Sequence, residues 1–316
     1  MTAADERNTL MKAVIFEDFG GPEVLHLAEV DAPEPGPKHV RIRVRAAGVN
    51  PVDYKIRAGQ MRPNLPARLP AIPGSEAAGV VEEIGAEVEG VGIGDEVFGW
   101  TRGGGYCEQA ILTKWAAKPA SVSFEEAVAL PVAGETAERV LSELGLKSGE
   151  TLLVHGAAGA VGTLAVQLAV ARGARVIGTA GASNQEYVAS LGGVPTLYGD
   201  GLVERVRALA PEGIDAVFDV AGRGALEDSV ELRGGSTERI VTIADYPGGQ
   251  KLGIPFSGGP GSSIASPELL EDLVGRLADG KLKVVISATY PLAEAVEAHR
   301  ASEAGHGRGK LVLDVG

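Results

Sequence analysis

His155-Gly156-Ala157-Ala158-Gly159-Ala160-Val161-Gly162 is the stretch that decides the fold. A short apolar run, Thr151 to Val154, precedes it, and an apolar run compatible with a helix, Val161 to Ala171, follows. Strand, tight glycine turn and helix in that order form the first half of a dinucleotide-binding unit. Glycine has no side chain and tolerates backbone angles that other residues avoid, so a pyrophosphate can approach the backbone and the positive end of the helix. Gly162 lets the helix pack closely on its strand. Ala157 stands where the first glycine of a G-x-G-x-x-G pattern belongs, and a strand-to-helix turn with nothing bound would look similar. The context favours the cofactor: a second strand-like run, Ala174 to Gly178, falls where a βαβ unit needs it.

Downstream the alternation continues. Strands are expected at 151–155, 174–179, 214–219 and 238–244, and helices at 160–172, 184–191, 202–210 and 224–232. That order predicts a parallel sheet covered on both faces. Just upstream, Phe124 to Leu130 reads as a helix capped by Ser123, Pro131 to Glu135 as an interruption, and Thr136 to Leu144 as a helix again. Before Ser123 the pattern is different. Met11 to Phe16, His39 to Ala46, Gly79 to Gly85 and Gly94 to Phe98 read as short strands, and their spacing predicts a small β barrel. Asn50 to Lys55 reads as a polar turn, and prolines 63, 66, 70 and 73 mark an irregular loop. Near the C-terminus, Ser266-Pro267 opens a helix, Leu282 to Ser287 is strand-like, Pro291 to Glu303 is a helix and Lys310 to Val315 a last strand.

Composition narrows the function. The 316 residues are 45% hydrophobic and carry a net charge of −13, which disfavours a broad nucleic-acid surface. One cysteine, Cys107, excludes an internal disulfide and any zinc site built from several cysteines, and suits a reducing cytoplasm. No apolar run is long enough to span a bilayer, and Met1 to Leu10 has no signal-peptide core. The five histidines show no metal-ligand spacing, and His155 reads as structural.

Several separated motifs agree with one family. They are Met11-Lys-Ala-Val14, Ala47-Gly-Val-Asn-Pro-Val-Asp53, Pro73-Gly-Ser-Glu-Ala-Ala-Gly-Val80, Gly94-Asp-Glu-Val97, Leu130-Pro-Val-Ala-Gly134, the 157–162 turn, Ala298-His-Arg300 and Arg308-Gly-Lys310. Together they resemble the zinc-free medium-chain dehydrogenases/reductases of the NADPH:quinone oxidoreductase, or zeta-crystallin-like, group. The resemblance implies an α/β fold with a GroES-like β-barrel catalytic domain at 11–123, joined by a returning 288–316, and a Rossmann dinucleotide-binding domain at 124–287. Residues 1–10 read as a disordered leader or as the result of an upstream start codon. It also implies a homodimer and NADPH-dependent hydride transfer to a quinone or an α,β-unsaturated carbonyl compound. NADH use, an enoyl reductase of polyketide or lipid metabolism, and a non-redox NADPH-binding protein remain as alternatives. The three positions that hold zinc in the metal-dependent relatives match Asn50, Ser75 and Val132, none a usual zinc ligand.

The resemblance places Asn50 beside the nicotinamide ribose and substrate, and Thr136 near the nicotinamide. Tyr54 and Lys55 are candidate proton donors, equally readable as solvated loop residues. The cofactor would meet Gly156, Ala157, Ala158, Gly159, Ala160, Val161 and Gly162 in the turn, and Ala244 at the end of the fourth strand. Thr179, Ser183 and Asn184 follow the second strand, where no acid occurs before Glu186; the 2′-phosphate of NADPH is therefore not repelled. Arg308, brought in by the returning C-terminus, is the candidate cation for it. Trp100, Tyr106 and Phe256 are expected to line an apolar substrate pocket. Glu135, where relatives carry an apolar residue, is expected to point to solvent, an acid–base role being the alternative.

Overall fold

The computed structural model describes residues 10–61, 67–258, 261–305 and 307–316. The leader up to residue 9, and Pro63 and Pro66, lie outside them. Strands β1 (Leu10–Ile15) and β2 (His26–Asp31) form an antiparallel ribbon. β3 (Val40–Val49), helix α1 (Pro51–Arg57), β4 (Glu76–Ile84), β5 (Glu96–Arg102) and β6 (Gln109–Ala117) follow. β3 pairs with both β4 and β6, which closes the four strands into a barrel. The alternation that predicts β3 is kept: Val40, Ile42 and Val44 are buried, while Arg43 and Arg45 face out.

Helices α2 (Phe124–Val128) and α3 (Pro131–Glu143) lead to the second sheet. It is built from β7 (Thr151–His155), α4 (Ala160–Ala171), β8 (Arg175–Ala180), α5 (Gln185–Ser190), β9 (Val194–Leu197), α6 (Leu202–Leu209), β10 (Ala216–Asp219), α7 (Leu226–Leu232) and β11 (Ile240–Thr242). All pairings are parallel, in the order β11-β10-β7-β8-β9. Strand order therefore reverses between β7 and β10, and a crevice opens at their carboxyl ends. After α8 (Tyr246–Leu252) and α9 (Pro267–Ala278) the chain returns through β12 (Ile286–Pro291), α10 (Ala295–Ala304) and β13 (Lys310–Asp314). β13 runs antiparallel to β3 and parallel to β12, so the end of the chain adds two strands to the first sheet. Among the described residues no helix is long and apolar enough to cross a membrane.

Four local expectations change. Asn50 to Lys55 is the start of α1 rather than a turn: Pro51 is pre-set for the first helical position, and the Asp53 carboxylate accepts from the Asn50 N–H. Pro131 to Glu135 is the first turn of a continuous α3, because proline lacks only an N–H that a helix start leaves unpaired anyway. The strand expected at 282–287 runs instead from Ile286 to Pro291, and Pro291, expected to open a helix, closes an edge strand that needs no N–H there. Edge strand β9 carries Pro195, and α8 carries two adjacent glycines. Neither composition predicts its element; Asp245 caps α8 by accepting from Gly248 N–H at 2.8 Å.

Gly162 does what the turn requires. A Cβ there would lie 2.2 Å from the Gly156 carbonyl oxygen and 2.8 Å from Ala157 Cα, both backbone atoms. Gly162→Val is therefore expected to destabilise the protein by about 1–3 kcal/mol through overpacking. Thermal unfolding checks it; an unchanged Tm would contradict the close helix–strand approach.

Candidate active site

The loops around the crevice are held by buried polar side chains. Asp219, at the end of β10, accepts from the Ala221 and Gly222 N–H groups, both at 3.0 Å, and from the Thr242 hydroxyl at 2.7 Å. The Thr242 hydroxyl in turn accepts from Ala244 and Asp245 N–H, which fixes the backbone at Ala244. On the other side of the crevice Gly156 adopts a left-handed φ of 78°. At Gly159, the N-cap of α4, an added Cβ would meet only the Gly156 oxygen, at 3.7 Å, so its outer side is open. Ala157 and Ala158 are buried beneath the turn, while Gly156, Ala160 and Val161 are half-buried. This cradle of backbone N–H groups at a helix N-terminus fits a pyrophosphate. Thr179 requires a correction. It is buried, and its hydroxyl accepts from Gly156 N–H at 3.2 Å, so it braces the turn and cannot reach a 2′-phosphate. His155 is also internal: it hydrogen-bonds the Ser229 hydroxyl at 2.9 Å, and burial pushes its pKa down to about 4.

The C-terminal segment ties this turn to the barrel. Gly309 N–H donates to the Ala158 carbonyl at 2.9 Å. One residue earlier, Arg308 donates to Asn184 Oδ1 at 2.8 Å and to the Ser183 carbonyl at 3.0 Å, its guanidinium 4.8 Å from the Tyr187 ring centroid. The structure thus brings Ser183, Asn184 and Arg308 together. Tyr198 is close to the same loop, 3.8 Å from where a Cβ on Gly181 would stand. On the other side of Gly309, Lys310 is buried against Asn50 and Glu76.

Lys310 is 2% exposed and Glu76 is not exposed at all. They form an ion pair, joined by Asn50. Asn50 donates through Nδ2 to Glu76 Oε1 at 2.7 Å and accepts through Oδ1 from Lys310 Nζ at 2.6 Å. With a donor-only ammonium on one side and a carboxylate on the other, the amide can face only one way. Glu76 Oε2 accepts from Val132 N–H at 2.7 Å, near the N-terminus of α3. One turn on, the Thr136 hydroxyl donates to the Val132 carbonyl at 2.7 Å. Glu76 thereby connects Asn50 to the helix that carries Thr136, although sequence reading singled out neither Glu76 nor Lys310 for a role.

A second buried network adjoins the first. Asp53 Oδ2 accepts from Asn50 N–H at 2.8 Å and from the Tyr106 hydroxyl at 3.2 Å, and Oδ1 accepts from Ser75 Oγ at 3.3 Å. Burial raises the Asp53 pKa to about 7, with the Glu76 charge adding to it and the Asn50 N–H, Lys310 and Tyr106 opposing it. Tyr106 packs edge-on against His299, ring centroids 5.6 Å apart. Behind them Arg57 bonds His299 and, at 2.5 Å, Glu303. Tyr106 is fully buried in the barrel core, so it does not line a substrate pocket; its hydroxyl needs internal partners and finds Asp53 and His299.

The remaining candidates separate. Trp100, half-buried on β5, pairs with Glu76 across the strands. Phe256 lies beyond the sheet edge, bridged to Thr242 and edge-on to Tyr246. Tyr54 and Lys55 are half-buried on α1; burial raises the phenol pKa, helped by Glu303, and lowers the ammonium pKa. Glu135 does not point to solvent. It is 6% exposed, accepts from Arg139 Nε at 3.0 Å and receives Ile264 N–H at 2.9 Å, because a buried carboxylate must be paired. Arg139, four residues on, was the signal available in the sequence. Glu138 likewise pairs with Arg172. The Cys107 thiol is buried, which pushes its pKa up to about 12 and leaves it inert.

Among the described residues no group of three or more His, Cys, Asp or Glu is placed to hold a metal ion. At the positions where zinc-dependent relatives bind the metal, Asn50 has its amide tied to Glu76 and Lys310, Ser75 is turned to Asp53, and Val132 offers only methyl groups. That donor set does not fit zinc. The family model for the alcohol dehydrogenase GroES-like domain matches residues 36–144, and that for zinc-binding dehydrogenase matches 197–313. A 2-methylene-furan-3-one reductase of Solanum lycopersicum is 35% identical, over 96% of this chain and 79% of the relative. The quinone oxidoreductase of Coxiella burnetii superposes with a TM-score of 0.84 at 33% identity, covering 98% of this chain and all of the other.

The chain belongs to the quinone oxidoreductase group of the medium-chain dehydrogenases/reductases. It is an oxidoreductase, and a nicotinamide dinucleotide is its cofactor class. A mycobacterial relative solved with NADPH superposes with a TM-score of 0.82 at 28% identity, over 96% of this chain and 100% of its own. In this quinone oxidoreductase fold the Lys310–Glu76 pair should be strongly coupled. Lys310→Met leaves a buried carboxylate short of its cation and is expected to cost about 3–5 kcal/mol. Adding Glu76→Gln is expected to restore most of that loss. Denaturant unfolding of both variants measures it; equal, additive losses would contradict the coupling.

Proposed function

We propose that this protein is an NADPH-dependent reductase that delivers hydride to a quinone or an α,β-unsaturated carbonyl compound without zinc. Arg308 carries the cofactor half of the reading. It stands over the Ser183–Asn184 loop, at the end of a β8 that lacks the acid with which NAD-specific sites bind both ribose hydroxyls. A guanidinium there meets a 2′-phosphate with charge-assisted hydrogen bonds. Asn50, oriented by Lys310 and Glu76, keeps one amide hydrogen for a ligand, and Thr136 lies one helical turn from the same carboxylate. In the site, the 156–162 turn holds the pyrophosphate, and the Asp219 and Thr242 bonds keep the loop at Ala244 in place for the nicotinamide half.

The bound nicotinamide supplies the hydride. The protein's part is to position the reactants, exclude water and offer donors where negative charge develops on the acceptor's oxygen. Quinones and enones suit such a site because that oxygen is distant from the carbon that receives hydride. A homodimer in a reducing cytoplasm completes the reading, supported by family membership and by a single, reduced cysteine.

The test is NADPH oxidation against a panel of quinones and enones, run with a strong chelator present. Turnover that persists with the chelator is expected; no turnover with any acceptor would overturn the function, and chelator-sensitive turnover restored by zinc would overturn the metal-free chemistry. For the cofactor, a hydrogen bond to a charged group contributes about 1.5–3 kcal/mol. Arg308→Ala is therefore expected to lower kcat/KM for NADPH roughly ten- to hundredfold, with little change for NADH. An equal fall for both cofactors would contradict a 2′-phosphate contact. Gly159→Val is expected to stay folded and lose cofactor affinity, because its side chain would project into the pyrophosphate space.

A further inference from the structure

Hydride transfer to a quinone or an enone leaves an anionic oxygen that needs a proton, and the barrel interior holds a group shaped to supply one. The order of donors around Asp53 can be worked out atom by atom. Arg57 has only donors, so His299 Nδ1 accepts from it, at 3.1 Å. Burial, then the Arg57 charge, push the His299 pKa down to about 3, so the ring is neutral at pH 7 and carries its single hydrogen on Nε2. Nε2–H then donates to the Tyr106 oxygen at 3.3 Å, and the Tyr106 O–H is spent on Asp53 Oδ2 at 3.2 Å. Oδ2 also receives the Asn50 N–H at 2.8 Å. Two donors therefore occupy Oδ2, and the proton of the neutral carboxyl belongs on Oδ1. In that neutral form Oδ1–H donates to Ser75 Oγ across 3.3 Å, and half-exposed Ser75 shares Asp53 with the Asn50 N–H and precedes Glu76, which binds Val132 N–H.

We propose that Asp53 is the proton reservoir of the reaction and feeds the reduced substrate through the Ser75 hydroxyl. The inference rests on the reductase reading above. The β-carbon of an enone gains the hydride, its electron pair coming from the reduced nicotinamide, which is oxidised. The π pair moves to the carbonyl oxygen, that oxygen takes the Ser75 hydroxyl proton, and Ser75 Oγ takes the proton of Asp53. The Asp53 carboxylate that remains is held by Asn50 N–H, Tyr106 O–H and Ser75 O–H, and a solvent proton returns through Ser75. With a quinone the same proton neutralises the hydroquinone anion. Serine is the group that touches substrate; Asp53 acts through it.

The charged and titratable groups facing Asp53 are Glu76 from β4, Lys310 from β13 and Tyr106 from the loop before β6, with Arg57 on its own helix and His299 from α10 behind the tyrosine. The reservoir must be protonated to act, so kcat of the wild type should fall as pH rises through about 7.

The experiment measures kcat and KM against pH with NADPH and an enone for the wild type, Asp53→Asn and Ser75→Ala. The amide of Asp53→Asn keeps an acceptor for Asn50 N–H and Tyr106 but has no proton to give. In both variants kcat should drop tenfold or more, the KM for NADPH should stay within twofold, and the alkaline limb should vanish. A merely structural role would leave that limb in place. If Asp53→Asn does not fold, Ser75→Ala at its half-exposed position carries the same comparison. A variant with kcat within twofold of wild type and the limb intact overturns the relay while the reductase reading stands. Wild-type protein that binds NADPH yet never oxidises it with any acceptor overturns both.

Discussion

The buried ion pair between Lys310 and Glu76 is the interaction on which the rest of the site depends. Taking two charges out of water is costly, and the cost is offset only when every remaining donor and acceptor is paired. Glu76 meets Lys310, Asn50 and Val132 N–H; Lys310 meets Glu76 and Asn50. These bonds join the last strand, the barrel and helix α3 of the cofactor half at one point. The same segment binds the glycine turn through Gly309 and the Ser183–Asn184 loop through Arg308. Three consecutive residues thus tie the loop after β8 and the glycine turn to Asn50, which accounts for the return of the chain to the barrel.

Asp53 shows a different compromise. Its pKa is raised by burial, so the native state holds a proton that the unfolded chain would release. The stability from that protonated carboxyl is complete below about pH 4, the unfolded carboxylate range, and is lost as pH rises through about 7. Keeping such a group beside a core of aliphatic and aromatic side chains costs stability at neutral pH. A neutral carboxyl with a defined outlet toward Ser75 is what that cost maintains.

Much of the architecture is legible locally. The glycine turn, the alternation of strands and helices after Thr151, and the Ser266 cap each depend on residues within a few positions of one another. So does the absence of an acid after β8. The centre of the site is not local. Glu76 finds Lys310 at a sequence separation of 234, and Tyr106 finds His299 at 193. No periodicity encodes such pairings; tertiary packing does. Composition also misleads where proline is read as a breaker: Pro51 and Pro131 begin helices, as Pro267 is expected to, because a helix start has no use for their missing N–H. An aromatic such as Tyr106 looks the same in sequence whether it lines a pocket or closes a core, and only its buried hydroxyl partners decide.

The most direct measurement is a structure of the protein crystallised with NADP+. The account predicts the pyrophosphate on the Gly159 turn, the 2′-phosphate on the Arg308 guanidinium beside Ser183 and Asn184, and the nicotinamide between Asn50 and Thr136. A nucleotide bound elsewhere, or one whose 2′-phosphate leaves Arg308 untouched, would contradict it.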